Sequence, residues 1–312
     1  MRHRVKNYQA GDLERRYPQL DIEEDLLYAY GFLPRENWRL LHPRNAAGLS
    51  NLERRVLEVV RNDGPLHPRE LEQHLGRERQ VNAWGGYSKA TTHALQRLHY
   101  RGLLRVARRE NGVRIYGPIT QPGEHLPRHE RRKRLVLLAA AIFAPVPLAS
   151  FREILRFVFR AAPDLNIRAP IIDTLLRTGE LESAETDGLT YVWPAETFKA
   201  SKPLAAVRFL APFDPLVWDR RRLEHLWGWR YRFEAYTPVQ KRQLGYYAMP
   251  LLWMDSVIGW ANVSLTKGQL SVGLGFVNKR PNSLEFEHAL EEETWRMRTF
   301  LRAAEESSPG TG

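Results

Sequence analysis

The sequence contains no cysteine among its 312 residues. Disulfides, thiolate nucleophiles and cysteine-based zinc or iron–sulfur sites are therefore excluded, and the lack of a signal peptide predicts a cytoplasmic protein. Long apolar runs are also missing. The longest candidate, residues 135–143, lies between arginines and prolines and is far shorter than a membrane span. The sequence thus predicts a core helix there and no membrane association.

Lysine is scarce, because 39 of the 47 basic residues are arginine and only eight are lysine. With 36 acidic residues the formal net charge is +11. Arginine's planar fork binds phosphate bidentately, so this balance favours a nucleic-acid partner, although arginine enrichment from a GC-rich genome is the alternative. The charge is also uneven: residues 101–134 hold ten basic and three acidic side chains, and residues 284–306 hold seven acidic and three basic ones.

Residues 50–118 show the order of a winged helix-turn-helix. Ser50 and Glu53 form a capping box that starts a helix over about residues 51–62. Pro68 opens a second helix, and Ser88 is predicted to cap a third that ends at Gly102. Two strand-like runs, residues 103–107 and 113–116, then flank an Asn-Gly turn. The third helix would take the recognition position, and the hairpin would be the wing.

The same order repeats 77 residues later, where Gly179 aligns with Gly102 and a hairpin turns at Asp187-Gly188. Strand-like runs at residues 231–236, 245–253, 257–263 and 269–276 follow, and a helix at residues 284–300 ends the pattern. We therefore predict an α+β fold: tandem winged helix-turn-helix units, then a small antiparallel β-barrel and a C-terminal helix. The predicted divisions are a remnant of an N-terminal unit (1–49), a DNA-facing winged helix (50–120), a linker (121–130), a second winged helix acting mainly as scaffold (131–200), the barrel domain (201–306) and a tail (307–312).

The first winged helix supplies the predicted DNA-binding residues. Hydroxyls, amides and a lysine at the start of the third helix can reach phosphates or base edges, and arginines line the wing. These residues are Ser88, Lys89, Thr91, Thr92, Arg105, Arg108, Arg109 and Arg114. The alternative is a solvated basic face on a protein-interaction domain. Trp84 and Tyr87 could stack on a base, but an aromatic residue at a helix entry more often packs against its own helix.

Metal and cofactor chemistry has little support. His125 and His129 have helical spacing, but Pro127 stands between them, so we interpret them as linker residues. No phosphate-binding loop, dinucleotide fingerprint or nucleophile elbow occurs. We expect no metal and no cofactor.

Carboxylates are the remaining catalytic possibility. An acidic run, predicted as a helix, comprises Asp21, Glu23, Glu24 and Asp25. Asp214 and Asp219 flank an aromatic, proline-rich turn, and for these two aspartates a structural role is the better prediction.

Five blocks of sequence resemble the YcaQ and AlkZ family of winged-helix DNA glycosylases, and YcaQ more closely. They are residues 84–91, 103–110, 211–222, 233–238 and 245–253. The resemblance implies tandem winged helices with a C-terminal barrel, and release of N7-alkylated purines or unhooking of interstrand crosslinks without metal or cofactor. The implied partner is double-stranded DNA, alkylated or crosslinked, which places the protein at the nucleoid. No dimerisation helix is evident, so we expect a monomer.

The family's catalytic element is a Gln-x-Asp motif in an N-terminal winged helix, and the resemblance implies that this chain begins downstream of it. Gln19 and Asp21 match the motif's letters, but the surrounding sequence differs, so we interpret the match as coincidence. Two expectations follow: either a catalytic segment lies upstream, or this is a DNA-binding relative without the chemistry. A transcriptional regulator is the competing hypothesis.

Overall fold

A computed structural model describes residues 3–42, 44, 48–75, 79–81, 87–119, 126–166, 170–195 and 202–302, with the backbone alone for 79–81 and 87–89. The helices are α1 Asp12–Arg16, α2 Arg35–Arg39, α3 Asn51–Asp63, α4 Pro68–Leu75, α5 Ala90–Tyr100, α6 Arg128–Phe143, α7 Leu148–Ala161, α8 Ile171–Arg177, α9 Pro215–Trp218, α10 Arg220–Trp227 and α11 Leu284–Leu301. The strands are β1 Ile22–Leu26, β2 Tyr30–Pro34, β3 Arg79–Val81, β4 Tyr87–Lys89, β5 Leu104–Glu110, β6 Val113–Pro118, β7 Val146–Pro147, β8 Leu181–Thr186, β9 Leu189–Pro194, β10 Val207–Phe209, β11 Met249–Trp253, β12 Ser256–Thr266 and β13 Gln269–Phe276.

The chain divides into two compact units. One comprises residues 13–141 and 151–182, and the other residues 1–12, 142–150 and 183–312. No helix among the described residues is long and apolar enough to cross a membrane.

Helices α3, α4 and α5 with the hairpin β5–β6 form the first helix–hairpin unit. The capping box is confirmed: the Ser50 amide donates to Glu53 (2.7 Å), and the Glu53 amide donates to the Ser50 hydroxyl (3.2 Å). The amphipathic faces of the helices enclose a core that includes Val56, Val60, Leu71, Leu95, Leu98, Leu104 and Val106. Positive φ angles at Asn111 (48°) and Gly112 (79°) form the tight turn that the Asn-Gly pair predicted.

The start of α5 differs from the prediction. Ser88 lies inside β4, which pairs antiparallel with β3, and α5 begins at Ala90. Ser88 is therefore not the residue before the helix, because its backbone belongs to a strand ladder.

A second helix–hairpin unit repeats the order with α6, α7, α8 and the hairpin β8–β9. Gly179 follows α8 with φ 76°, as Gly102 follows α5 with φ 70°. Asp187 (48°) and Gly188 (75°) reproduce the hairpin turn. The short strand β7 adds to this hairpin through β9, giving the order β7-β9-β8.

The strand-rich C-terminal region is an antiparallel four-stranded sheet in the order β10-β11-β12-β13. Its turns lie at residues 254–255 and 267–268, where Met254 and Lys267 have positive φ. Its inner face packs on α11 through Phe209, Leu251, Ala261, Phe286 and Leu290. Within the described strands β10 and β13 are the two edges, so the ladder is half of a barrel and not a closed ring.

One predicted strand in this region is wrong: residues 231–236 have no strand ladder. Instead, the buried carboxylate of Glu234 accepts hydrogen bonds from the backbone amides of Gln243 (2.9 Å), Leu244 (2.8 Å) and Gly245 (3.2 Å). These charge-assisted hydrogen bonds tie the irregular, aromatic-rich segment to residues 243–245.

Candidate nucleic-acid interface

The arginine-rich hairpin of the first helix–hairpin unit contains a β-bulge. The pairing of β5 with β6 shifts register between Val106 and Arg108, which leaves Ala107 without a partner position. A bulge re-aims the residues that follow it. Arg108 and Arg109 therefore lie opposite Ile115 and Arg114.

Glu23, Glu24 and Asp25 of the acidic run belong not to the predicted helix but to a strand, β1. It pairs antiparallel with β2, and all three of its carboxylates, Glu23, Glu24 and Asp25, are buried. Successive side chains of a strand point to opposite faces, so neighbouring carboxylates meet different partners. Charged partners from distant segments make this burial possible.

Glu24 binds two arginines of the hairpin. Arg109 donates to it from Nε (2.9 Å) and from Nη2 (2.5 Å), and Arg114 donates from Nε (2.7 Å). The Arg114 guanidinium also lies 4.2 Å from the ring centroid of Tyr30. Burial alone raises the pKa of Glu24, but the hydrogen bonds from the two arginines outweigh it and lower that pKa.

Glu23 binds a second pair of arginines. Arg105 donates from Nε to both carboxylate oxygens (2.8 and 3.0 Å), and Arg35 donates from Nε at 3.0 Å. Four guanidinium groups thus surround the carboxylates of Glu23 and Glu24, and Arg35 also pairs with the exposed Asp21, so one positive charge is in excess. The side chains of Arg105, Arg109 and Arg114 remain 19%, 25% and 31% exposed.

Asp25 lies in a separate polar cluster. Trp38 Nε1 and His42 Nε2 each lie 2.9 Å from its Oδ2, and Arg44 Nη1 lies 3.3 Å from Oδ1. Burial raises the pKa of Asp25, but the His42 hydrogen bond and the Arg44 charge lower it to about 2. Burial lowers the pKa of His42 to about 4. The cluster therefore holds an ionised aspartate and a neutral imidazole at neutral pH.

Glu24 and Asp25 are poor general bases. A base that removes a proton near neutral pH needs a pKa close to that range and access to the proton. Glu24 and Asp25 have lowered pKa values and are held by arginine or histidine. The arrangement positions the hairpin and does not suggest water activation.

The remaining DNA-binding candidates have varied surroundings. Arg108 pairs with Glu110 at 2.7 Å, and both side chains are more than 40% exposed, at 41% and 44%. Thr91 is buried, which removes its hydroxyl from the surface, and Thr92 is half-buried. The side chains of Ser88, Lys89 and Tyr87, like all of Trp84 and His125, lie outside the part of the chain that the structure describes.

The two Gln-x-Asp candidates lie on the surface. Gln19 ends a short 3₁₀ turn and is exposed, and Asp21 is 77% exposed and pairs with Arg35 at 3.0 Å. The aspartates of the proline-rich turn have structural roles, as predicted. Asp214 caps α9 by accepting from the Leu216 amide, and Asp219 caps α10 by accepting from the Arg221 amide, each at 3.1 Å.

Sequence reasoning missed Glu23 and Glu24 as arginine partners, and it missed Arg35 altogether. The one available signal was that an acidic run and an arginine-rich hairpin could neutralise each other. Glu24 and Arg109, which pair in the structure, are 85 residues apart in the sequence. Among the described residues no group of three His, Asp or Glu side chains is placed to hold a metal ion.

The fold resembles that of a solved DNA glycosylase. The chain is similar to the Streptomyces sahachiroi DNA glycosylase AlkZ, with 14% sequence identity, a TM-score of 0.57, and coverage of 92% of this chain and 82% of that one. At this identity the likeness concerns the fold alone.

The sequence also matches the family model described as DNA glycosylase AlkZ-like over residues 1–300. The class of protein is therefore a DNA glycosylase of the DNA-repair type, with DNA as substrate and hydrolysis as the reaction class. The chain belongs to the AlkZ-like DNA glycosylase family.

Proposed function

We propose that this chain binds duplex DNA carrying alkylated or crosslinked bases, and that its first helix–hairpin unit is the DNA-facing one. In this interpretation residues 50–120 and 131–200 are tandem winged helices, and residues 201–306 are the C-terminal domain. The helix α5 takes the recognition position and the hairpin β5–β6 is the wing.

The observation that carries the proposal is the charge of this hairpin. Glu23 and Glu24 accept hydrogen bonds from the Nε atoms of Arg105, Arg109 and Arg114, and with Arg35 and Asp21 included the cluster keeps one excess positive charge. Arginines fixed in this way lose less side-chain freedom when they bind phosphate. Arg108 is the most exposed of the four arginines of the hairpin β5–β6, and it is the best candidate for a direct phosphate contact.

The proposed reaction is hydrolysis of the N-glycosidic bond of N7-alkylated purines, including the unhooking of interstrand crosslinks. A cationic N7-alkylated base is already a good leaving group, so the protein has mainly to place a water molecule against the anomeric carbon. The resemblance assigns that task to a Gln-x-Asp motif. We propose that Gln19 and Asp21 do not perform it, because an exposed carboxylate paired with Arg35 cannot be a desolvated base.

Single-turnover release of N7-methylguanine from a defined duplex tests this proposal. We expect Asp21→Asn to leave the release rate constant and the duplex affinity unchanged within about twofold, since it removes only an exposed ion pair. Release that is abolished by Asp21→Asn, with the affinity intact, would show that Gln19 and Asp21 are catalytic after all.

A second candidate function is a non-catalytic DNA-binding protein. It is favoured by the engagement of each β1 carboxylate with arginine or histidine, and by the lowered pKa values of Glu24 and Asp25. Duplex binding without release of N7-methylguanine would support this candidate. Tight binding to one discrete operator, with no preference for damaged duplex, would instead indicate a regulator.

A further inference from the structure

A cavity of about 440 Å³ opens in the second helix–hairpin unit, between α6, α7 and the start of α8. Four arginines line it: Arg132 from α6 and Arg152, Arg156 and Arg160 from α7. We call this cavity the arginine groove. The sequence predicts a scaffold role for this unit because its hairpin is acidic, so a basic groove is not expected there.

The three arginines of α7 form a stripe along one face of the helix. They are spaced four residues apart, which advances them about 6 Å at each step along the axis. The three side chains are exposed, and the opposite face of α7 is buried through Phe151, Ile154 and Val158. A regular row of guanidinium groups on a fixed helix suits a ligand with regularly spaced anions.

Aromatic rings orient two of the four guanidinium groups that line the groove. The Arg132 guanidinium carbon lies 5.5 Å from the ring centroid of Phe159, and that of Arg160 lies 5.0 Å from the ring centroid of Phe157. A ring that lies against a guanidinium group restricts its orientation.

The charge of the lining also calls for an anion. Among the described residues that line the groove, Asp173 is the one carboxylate against four arginines. Like charges held close together repel unless a counterion joins them. Apolar side chains such as Leu155 and Ile172 complete the wall, so the groove offers both charge and a partly dry surface.

The end of α7 is hydrogen-bonded to the end of α5 in the same compact unit. The Tyr100 hydroxyl donates to the Arg160 carbonyl at 2.8 Å, and Arg44 donates to the carbonyls of both Tyr100 and Ala161. The proposed recognition helix α5 and the helix α7 are thus held together at their C-terminal ends.

From these observations we infer that the arginine groove binds backbone phosphates of duplex DNA, as a second contact beside the first helix–hairpin unit. This inference rests on the proposed DNA binding. Successive phosphates along one strand provide the row of anions that matches Arg152, Arg156 and Arg160. Because phosphates carry no sequence information, the contact adds affinity and salt dependence without base preference.

The test is the double variant Arg152→Gln with Arg156→Gln in the full chain. Its affinity for a fluorescently labelled duplex is measured by anisotropy over a series of salt concentrations. We expect at least tenfold weaker binding, and a slope of log K against log salt that is smaller by about two, since two phosphate contacts are lost.

The matched control is Arg177→Gln with Arg280→Gln, which removes the same net charge from exposed positions outside the groove. It should change the affinity less than about twofold and leave the salt slope near the wild-type value. Arg152→Lys with Arg156→Lys keeps both charges, so it should retain the salt slope. Circular dichroism melts verify that all variants are folded.

Equal losses in the groove variant and the control, with wild-type binding intact, would overturn the groove and leave the proposed function standing. Wild-type protein that binds no duplex would overturn both proposals. Inorganic phosphate that raises the melting temperature of the wild type but not of the double variant, while both bind the duplex equally, would identify a free-anion site. That result would contradict the DNA contact.

Discussion

Arg109 donates two hydrogen bonds to the buried carboxylate of Glu24, from Nε at 2.9 Å and from Nη2 at 2.5 Å. These two residues lie on different elements, β5 and β1, so one pair fixes the arginine-rich hairpin to the hairpin β1–β2. Arg108, the neighbour of Arg109, has only the exposed Glu110 as its ion-pair partner among the described residues. The adjacent arginines should therefore respond differently to the same substitution.

Arg109→Gln should destabilise the protein by about 2 kcal/mol, because Glu24 stays buried with one charged donor fewer. Arg108→Gln should leave the stability within about 0.5 kcal/mol, since it removes an exposed ion pair. It should instead weaken duplex binding and reduce the salt slope by about one. Urea denaturation and salt-dependent binding separate the two effects.

Glu24→Gln combined with Arg109→Gln is the control for the pair. The double variant removes the Glu24 and Arg109 charges together and affects only the Arg114 contact in addition. It should therefore lose less stability than the sum of the single variants. Strict additivity would mean that Arg109 and Glu24 do not interact in solution.

Stability should fall as the pH is lowered from about 6.5 toward 4. The pKa of His42 is about 4 in the folded protein, below its usual value, because the imidazole is buried. The unfolded chain therefore binds a proton in this range that the folded chain does not, and stability is fully present only above the unfolded pKa. For His42 alone the loss from pH 7 to pH 5 is about 2 kcal/mol.

Urea titrations at pH 7, 6 and 5 measure this effect. His42→Gln keeps a donor for Asp25 and should show a smaller loss between pH 7 and pH 5, whatever its stability at pH 7. Some dependence should remain, since burial also lowers the pKa of His99. An identical pH dependence in wild type and variant would refute the neutral, buried imidazole.

Gly102→Ala should be far more harmful than Gly179→Ala, although both glycines follow the third helix of a repeat with positive φ. A methyl group at Gly102 would lie 2.1 Å from His42 Nδ1, whereas nothing lies within 4 Å at Gly179. Gly179→Ala should cost about 1 kcal/mol from backbone strain. Gly102→Ala should cost roughly 1–3 kcal/mol more from the clash. Thermal denaturation compares the two, and equal losses would contradict the tight contact.

Arg222 is a buried arginine that binds only backbone carbonyls among the contacts described. It donates to Pro145 and Leu216 (both 2.8 Å) and to Phe143 and Pro215. Arg222→Met should therefore cost about 3–5 kcal/mol, because several buried carbonyls lose their donor. Arg221→Met on the same helix is exposed and should stay within about 0.5 kcal/mol. A small effect at Arg222 in urea denaturation would mean that water replaces the guanidinium.

Local signals in the sequence predicted local structure well. The capping box at Ser50, the Asn111-Gly112 and Asp187-Gly188 turns and the helix-ending Gly102 each depend on a few neighbouring residues, and all are confirmed. Strand β13 was predicted with its observed bounds for the same reason.

Long-range partners were the part that the sequence could not provide. Three consecutive acids gave no strand signal for β1, because its burial depends on arginines from β5, β6 and α2. Residues 231–236 have strand-like composition but no strand ladder, and the Glu234 side chain instead accepts from the amides of the distant residues 243–245. The arginine groove was missed because its four arginines come from two helices, α6 and α7, that meet only in the folded chain.

Equilibrium binding of this chain to matched duplexes, with and without one N7-alkylated guanine, tests the central claim most directly when repeated over a range of salt concentrations. We predict sequence-independent binding that weakens steeply and linearly in log salt, with a preference for the alkylated duplex that persists at every salt concentration. Binding that is insensitive to salt, or confined to one discrete sequence with no preference for the alkylated duplex, would contradict it.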